Sequence, residues 1–251
     1  MFRMIVQKLH DVLVARAART EIAHLSIGLA YSAAQTADGG MGMAYTMLES
    51  LQSCEAVRHL PDFEGQKADR LLRYLLQEET VARGLALALV NALNHAKALE
   101  LPEDSGSRAL CRELGIQAGT RVAMVGHFAP VLAQLEERGA EVAVVDRDRR
   151  EGHERDLVQR LTDWADALIM SSTTLINGSA ESFLESVGPR VRVALLGPST
   201  PMLSHACEGW PVHLLCGLVP TDPEGTLRAI RHGQGTRTFQ RYGKKVYLVL
   251  G

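Results

Sequence analysis

From residue 121 onward the chain alternates short apolar runs with stretches of helical period, and this alternation leaves few folds open to it. The runs are residues 122–125, 142–145, 167–170, 191–196, 212–216 and 246–250. Such runs suit strands buried on both faces, and the helical stretches between them supply the crossovers of a parallel sheet. The first unit shows the pattern most clearly. In residues 121–130, RVAMVGHFAP, the apolar run stops at Gly126, and Val131, Leu132 and Leu135 then form a helical stripe. The segment predicts strand, tight turn and helix. Open parallel sheets bind ligands outside the carboxyl ends of their strands, where helix N-termini attract negative charge. His127 is therefore expected at the mouth of a site.

The first hundred residues have a different organisation. Ile5, Leu9, Val12 and Leu13 share one face of a helix expected over 4–18. Residues 22–34 and 41–48 are each expected as one strand, joined into a hairpin by Ala37, Asp38, Gly39 and Gly40, because glycine accepts the positive φ of tight connections. Gly28, Ala30, Gly42 and Ala44 are small, which points to close approach on that sheet. Leu71, Leu72, Leu75 and Leu76 predict a helix after the loop 61–65, and residues 80–99 predict a longer one, apolar enough to be buried on most sides. Asn91, Asn94 and His95 fall together near its C-terminal end, as either a solvated face or a cleft lining. Residues 101–107, LPEDSGS, have the composition of a linker and divide an α+β domain, 1–103, from a parallel-sheet α/β domain, 104–251.

Composition removes several classes of function. A formal net charge of -2 offers no electrostatic attraction to nucleic acid or an anionic membrane, and 5% aromatic residues make poor base-stacking platforms. The longest apolar run, 85–90, is far below the roughly 20 residues a membrane helix needs. Gln7, Lys8, His10 and Asp11 interrupt any secretory apolar core. Cys54, Cys111, Cys207 and Cys216 form no CxxC pair, a usage that suits free thiols in a reducing cytoplasm.

Several strand ends of the second half run straight into polar turns. Residues 171–179, SSTTLINGS, follow one strand; residues 197–202, GPSTPM, follow the next, with Thr200 and Pro201 arranged as helix cap and first helical residue; residues 217–224, GLVPTDPE, repeat that arrangement at Asp222 and Pro223. Thr200 and Asp222 would each serve as a cap in a protein with no ligand at all. Convergence of all these turns with His127 on one sheet edge is what points to a ligand crevice. Asp146 ends the second strand, about 20 residues beyond Gly126, where dinucleotide folds place an acid on the ribose hydroxyls. Residues 126–129, GHFA, lack the remaining glycines of that motif, and Phe128 would obstruct a pyrophosphate. His205 with Cys207, and His213 with Cys216, lack the spacing of zinc ligands. Cys207 and Cys216 are expected as buried thiols.

Five stretches resemble a known family: SIGLAYS (26–32), GGMGMAYTM (39–47), MVGHFAP (124–130), SSTTLINGS (171–179) and LLGPSTPM (195–202). They are similar, in this order and over nearly the whole chain, to the family called "putative heavy-metal chelation". The resemblance implies a domain like the amino-terminal domain of enolase followed by a Rossmann-like domain, with a site in the cleft between them. It implies site residues at His127, Thr173, Thr174, Asn177, Ser199, Thr200 and Asp222, with Asn91 and Asn94 reaching the cleft from the first domain.

Three functions compete. One is a handler of small polar or anionic ligands, including a transition-metal ion or metal chelate, with His127 as metal ligand or general acid–base. Another is a nucleoside-cofactor transferase with Asp146 on the ribose. The third is a non-enzymatic metal or ligand sensor or trafficking protein. The partner expected in each case is a small molecule, and a homo-oligomer is the base-rate expectation for an enzyme of this size.

Overall fold

The computed structural model describes residues 4–48, 58–106, 108–147 and 149–251. Cys54 and Ser107 lie outside the described residues. The first half contains α1 (Ile5–Ala17), β1 (Ile22–Ile27), β2 (Tyr31–Thr36), β3 (Met41–Tyr45), α2 (Asp69–Leu72), a 3-10 turn (Arg73–Leu76), α3 (Thr80–Leu93) and α4 (His95–Leu99). Its strands form an antiparallel sheet in the order β1-β2-β3.

The expected hairpin is thus a three-stranded meander. Residues 22–34 do not form one strand: Gly28 turns the chain, donating its N–H to the Tyr31 carbonyl at 3.0 Å. The β2–β3 connection falls where the glycines predict it, with Gly39 at φ 89. Close approach is real and has an identified cause. A Cβ at Gly42 would lie 2.2 Å from both the Ala88 carbonyl and the Ala92 nitrogen, so α3 presses directly on the sheet. Helix α3 begins where the Glu79 carboxylate accepts from the N–H groups of Val81 and Ala82, satisfying two donors that have no helical partner. Nearly all of its residues are buried, as the apolar pattern requires. In α1 the buried stripe is Ile5, Val6, Leu9, Leu13 and Ala17, while Val12 faces outward at 47% exposure.

The second half contains α5 (Ala109–Glu113), β4 (Arg121–Val125), α6 (Ala129–Glu137), β5 (Glu141–Val145), α7 (Glu154–Asp163), β6 (Ala167–Ser171), α8 (Thr174–Asn177), α9 (Ala180–Glu185), β7 (Arg192–Leu196), β8 (Leu214–Pro220), α10 (Pro223–Arg231), α11 (Thr236–Phe239) and β9 (Gly243–Val249). The strands order as β5-β4-β6-β7-β8-β9. The first five are parallel, as the alternation predicts, and β9 alone is antiparallel to its neighbour β8. Strand β8 also runs on to Pro220, past the glycine at 217 where a turn was expected; all seven residues are buried. Pro201 does not begin a helix. Only a 3-10 turn, Ser204–Cys207, follows it, and the Thr200 hydroxyl is bonded to Ser172 at 2.8 Å instead of capping. Asp222 does cap α10, accepting from Gly225 at 2.9 Å, with Pro223 at the first helical position.

The linker-like residues lie along the outer edge of β9. Tyr247 donates to the Pro102 carbonyl at 3.2 Å and Asp104 to the Lys245 carbonyl at 2.8 Å, so backbone groups that an edge strand would expose are paired. Strand β4 sits between β5 and β6, and its alternate residues face different cores. Val122 and Met124 pack with Val131 and Leu135 of α6, whereas Ala123 packs with Leu157 and Leu161 of α7. The chain therefore leaves β4 toward one side and returns to the other, opening a crevice outside the carboxyl ends of β4 and β6. Among the described residues, no helix is long and apolar enough to cross a membrane.

Candidate functional site

That crevice is a cleft of about 600 Å³, within the range of small-molecule sites. Its walls come from both halves of the chain. Strand β3 and the residues after it supply Tyr45, Met47 and Leu48; β4 and its turn supply Gly126, His127 and Phe128; β6 and its turn supply Ser171, Thr173, Thr174, Asn177 and Ser179. Asp146 and Arg147 follow β5, Glu154 opens α7, and Phe183 of α9 lines the cleft together with Phe128.

The β4 turn requires its glycine. Gly126 has φ 94, and a Cβ there would lie 3.0 Å from the Cβ of Ser171. The turn that follows is held from the adjacent strand: the backbone N–H of His127 donates to Asp146 Oδ2 at 2.7 Å, and Arg149 donates to Oδ1 at 2.9 Å. The ring of His127 is held as well, with Nδ1 3.0 Å from Glu151 Oε2.

SSTTLINGS forms a self-bonded turn. The hydroxyls of Ser171 and Thr173 are 2.8 Å apart, Thr174 Oγ1 donates to the Ser171 carbonyl at 2.6 Å, and Asn177 Oδ1 accepts from the Ser179 hydroxyl at 2.7 Å. The Thr174 side chain is buried and committed to that bond. Ser171, Thr173, Asn177 and Ser179 remain half-buried at the cleft surface. Behind the turn, the buried Arg83 of α3 donates Nη1 to the Ile176 carbonyl at 3.1 Å, while its Nε has no hydrogen-bond partner. Burial pulls the Arg83 pKa down, partly offset by the charges of Glu181 and Glu78.

The structure gathers five of the sequence candidates at this cleft: His127, Asp146, Thr173, Thr174 and Asn177. The others lie elsewhere. Ser199 is buried and accepts from the Tyr45 N–H at 2.9 Å, and Thr200 is buried against Ser172; both brace the cleft walls from behind. Asn91 and Asn94 adjoin a separate cavity of about 10 Å³, too small for more than a single water. They donate to the carbonyls of Met43 and Met202 at 3.0 and 2.8 Å. Asp222 serves α10. Sequence reasoning missed Glu151, Arg147 and Phe183 and takes Tyr45 as structural; the density of charge in residues 146–156 is the one local signal beside Asp146.

Cys111, Cys207 and Cys216 are buried free thiols, and burial pushes the pKa of the latter two up to about 12. Among the described residues, no group of three or more His, Cys, Asp and Glu side chains is placed to hold a metal ion.

Fold and site together define a two-sheet α/β protein with a ligand-sized cleft at the point where the larger sheet reverses its strand order. Family models described as "putative heavy-metal chelation" match residues 10–94 and 109–249, and the chain belongs to this family. Two solved structures of proteins of unknown function from the DUF364 family share the fold. The one from Pyrococcus horikoshii is 20% identical with a TM-score of 0.82, covering 98% of this chain and 100% of that one. The one from Desulfitobacterium hafniense is 17% identical with a TM-score of 0.77, covering 97% and 98%. No curated protein sequence matches the chain.

Proposed function

We propose that this protein binds a small, polar, metal-chelating molecule in the 600 Å³ cleft, and that the metal arrives already held by that molecule. The observation that carries the reading is the donor set. A transition-metal ion held by protein alone takes about four ligands, and the described residues hold no cluster of even three. The His127 imidazole can complete a coordination sphere but cannot build one. The rest of the cleft suits an organic chelator. Ser171, Thr173, Asn177 and Ser179 line it with hydroxyl and amide groups, and Phe128 and Phe183 with aromatic surface; the guanidinium of Arg147 at its edge is paired with Glu154. The family description, heavy-metal chelation, supports the same class of cargo.

Native mass spectrometry and elemental analysis of one freshly purified sample test this reading. The expected result is an organic mass and a metal in matching amounts, both lost from His127→Ala while its circular dichroism is unchanged. Stoichiometric metal without any organic mass would overturn it.

A further inference from the structure

We infer that Glu151 is a positioning residue that holds the His127 imidazole as its Nδ1–H tautomer, leaving the Nε2 lone pair for the metal of a chelate in the cleft. The inference rests on the reading of the cleft proposed above and assigns a role within it.

A carboxylate only accepts hydrogen bonds, so a neutral imidazole with Nδ1 3.0 Å from Glu151 Oε2 carries its proton on that nitrogen. Among the described residues, Nε2 has no hydrogen-bond partner, and the ring lines the cleft with 20% of its side chain exposed. Histidines that bind metals are commonly fixed through the other ring nitrogen by a carboxylate, which sets the tautomer and raises the basicity of the ligating atom.

The placement of Glu151 is itself enforced. Asp146 and Glu151 exchange both backbone hydrogen bonds, each at 2.9 Å, closing a tight hairpin after β5. Arg150 takes φ 53 to close it, the one positive φ outside glycine among the described residues. Gly152 follows at φ 67, with no room for a side chain: a Cβ would lie 2.4 Å from the Val144 carbonyl. One hairpin thus grips His127 twice. Asp146 holds its backbone N–H, and Glu151 holds its ring.

The test uses full-length protein, with Co(II)–citrate as the probe. Long-range proton–nitrogen correlations at about pH 8 read the His127 tautomer directly. The wild type is expected as Nδ1–H, Glu151→Ala as a mixture dominated by Nε2–H, and Glu151→Gln as substantially restored, because an amide oxygen also accepts from Nδ1. A wild-type Nε2–H tautomer, or one indifferent to Glu151→Ala, would overturn the inference. Visible spectra of the cobalt probe give the second readout. Glu151→Ala is expected to weaken binding about 10–100-fold and to lose the spectral change of nitrogen ligation; unchanged affinity would overturn the assigned role. Glu151 is 43% exposed and its backbone pairing survives truncation, so the variant is expected to fold. Failure of the wild type to bind the probe, with the tautomer as expected, would count against the cleft's proposed ligand and leave the Glu151–His127 relationship standing.

Discussion

The side-chain amide of Asn94 donates to the Met202 carbonyl at 2.8 Å, joining positions 108 residues apart in sequence. With Asn91 on the Met43 carbonyl and His95 on the Pro220 carbonyl, it ties the end of α3 and the start of α4 to both sheets. Asn94 is 4% exposed, so its loss strands an acceptor away from water. Asn94→Ala is expected to lower unfolding stability by about 1–3 kcal/mol, measured by urea denaturation. Binding in the main cleft should be unchanged in the folded protein, because none of these three side chains lines it.

Two glycines of the first sheet separate crowding from backbone conformation. At Gly42 an added Cβ meets backbone atoms of α3 at 2.2 Å, which only a shift of the helix could relieve. At Gly39 a Cβ has open space but φ is 89. Gly42→Ala is expected to cost about 4 kcal/mol or more, in the range reserved for severe overpacking, and to abolish soluble expression. Gly39→Ala is expected to cost about 1–2 kcal/mol from the left-handed backbone alone. Chemical denaturation of the two variants side by side checks the ranking.

Acid should remove one contribution to stability in a defined window. The Arg121 side chain, through Nε and Nη2, grips both oxygens of Asp166 at 3.0 and 2.8 Å. Hydrogen bonding to Arg121 holds the Asp166 carboxyl down from 3.8 to about 2. A carboxyl whose pKa is depressed on folding stabilises the protein above its unfolded pKa and ceases to do so as pH falls through the folded one. The pair is partly exposed, so solvent screens it and the effect is modest. The Tm difference between wild type and Asp166→Ala is therefore expected to be constant above about pH 5 and to shrink as pH falls toward about 2. A difference that grew in acid would contradict the assignment.

The larger sheet was legible because its strands are short apolar runs separated by glycine and polar turns, and burial on both faces is written in composition. What escaped were features set by partners distant in sequence. Residues 22–34 hid a turn because Gly28 reads equally as a bulge, and its close neighbour is the Ile230 carbonyl. Strand β8 overran its expected end through Gly217, where a Cβ would lie 2.8 Å from the Met202 sulfur, a proximity no local pattern announces. At the site, His127 and the SSTTLINGS turn could be placed at a strand edge from spacing alone. Ser199 and Thr200 belong to equally polar turns, yet their hydroxyls face inward to the Tyr45 N–H and Ser172. Glu151 was one acid in a charged loop until the hairpin brought it to the His127 ring.

The last prediction concerns nucleotides. The ring of Phe128 stands 3.4 Å from where a Cβ on Gly126 would be and 3.9 Å from the same point on Gly197. It covers the glycine turns after β4 and β7, where a pyrophosphate would need to reach backbone N–H groups. Asp146, in the position of a ribose-binding acid, instead has one oxygen on the His127 N–H and the other on that of Arg149. Adenosine and NAD are therefore expected to leave the wild-type Tm unchanged in a thermal-shift assay. Asp146→Ala is expected to lower it without any nucleotide, by about 2–4 °C for each kcal/mol lost, with about 1–3 kcal/mol at stake in the two charge-assisted bonds. A wild-type shift with adenosine that vanished in Asp146→Ala would mean that the carboxylate serves a ribose as well as the backbone. The cleft would then belong to a nucleoside-dependent enzyme.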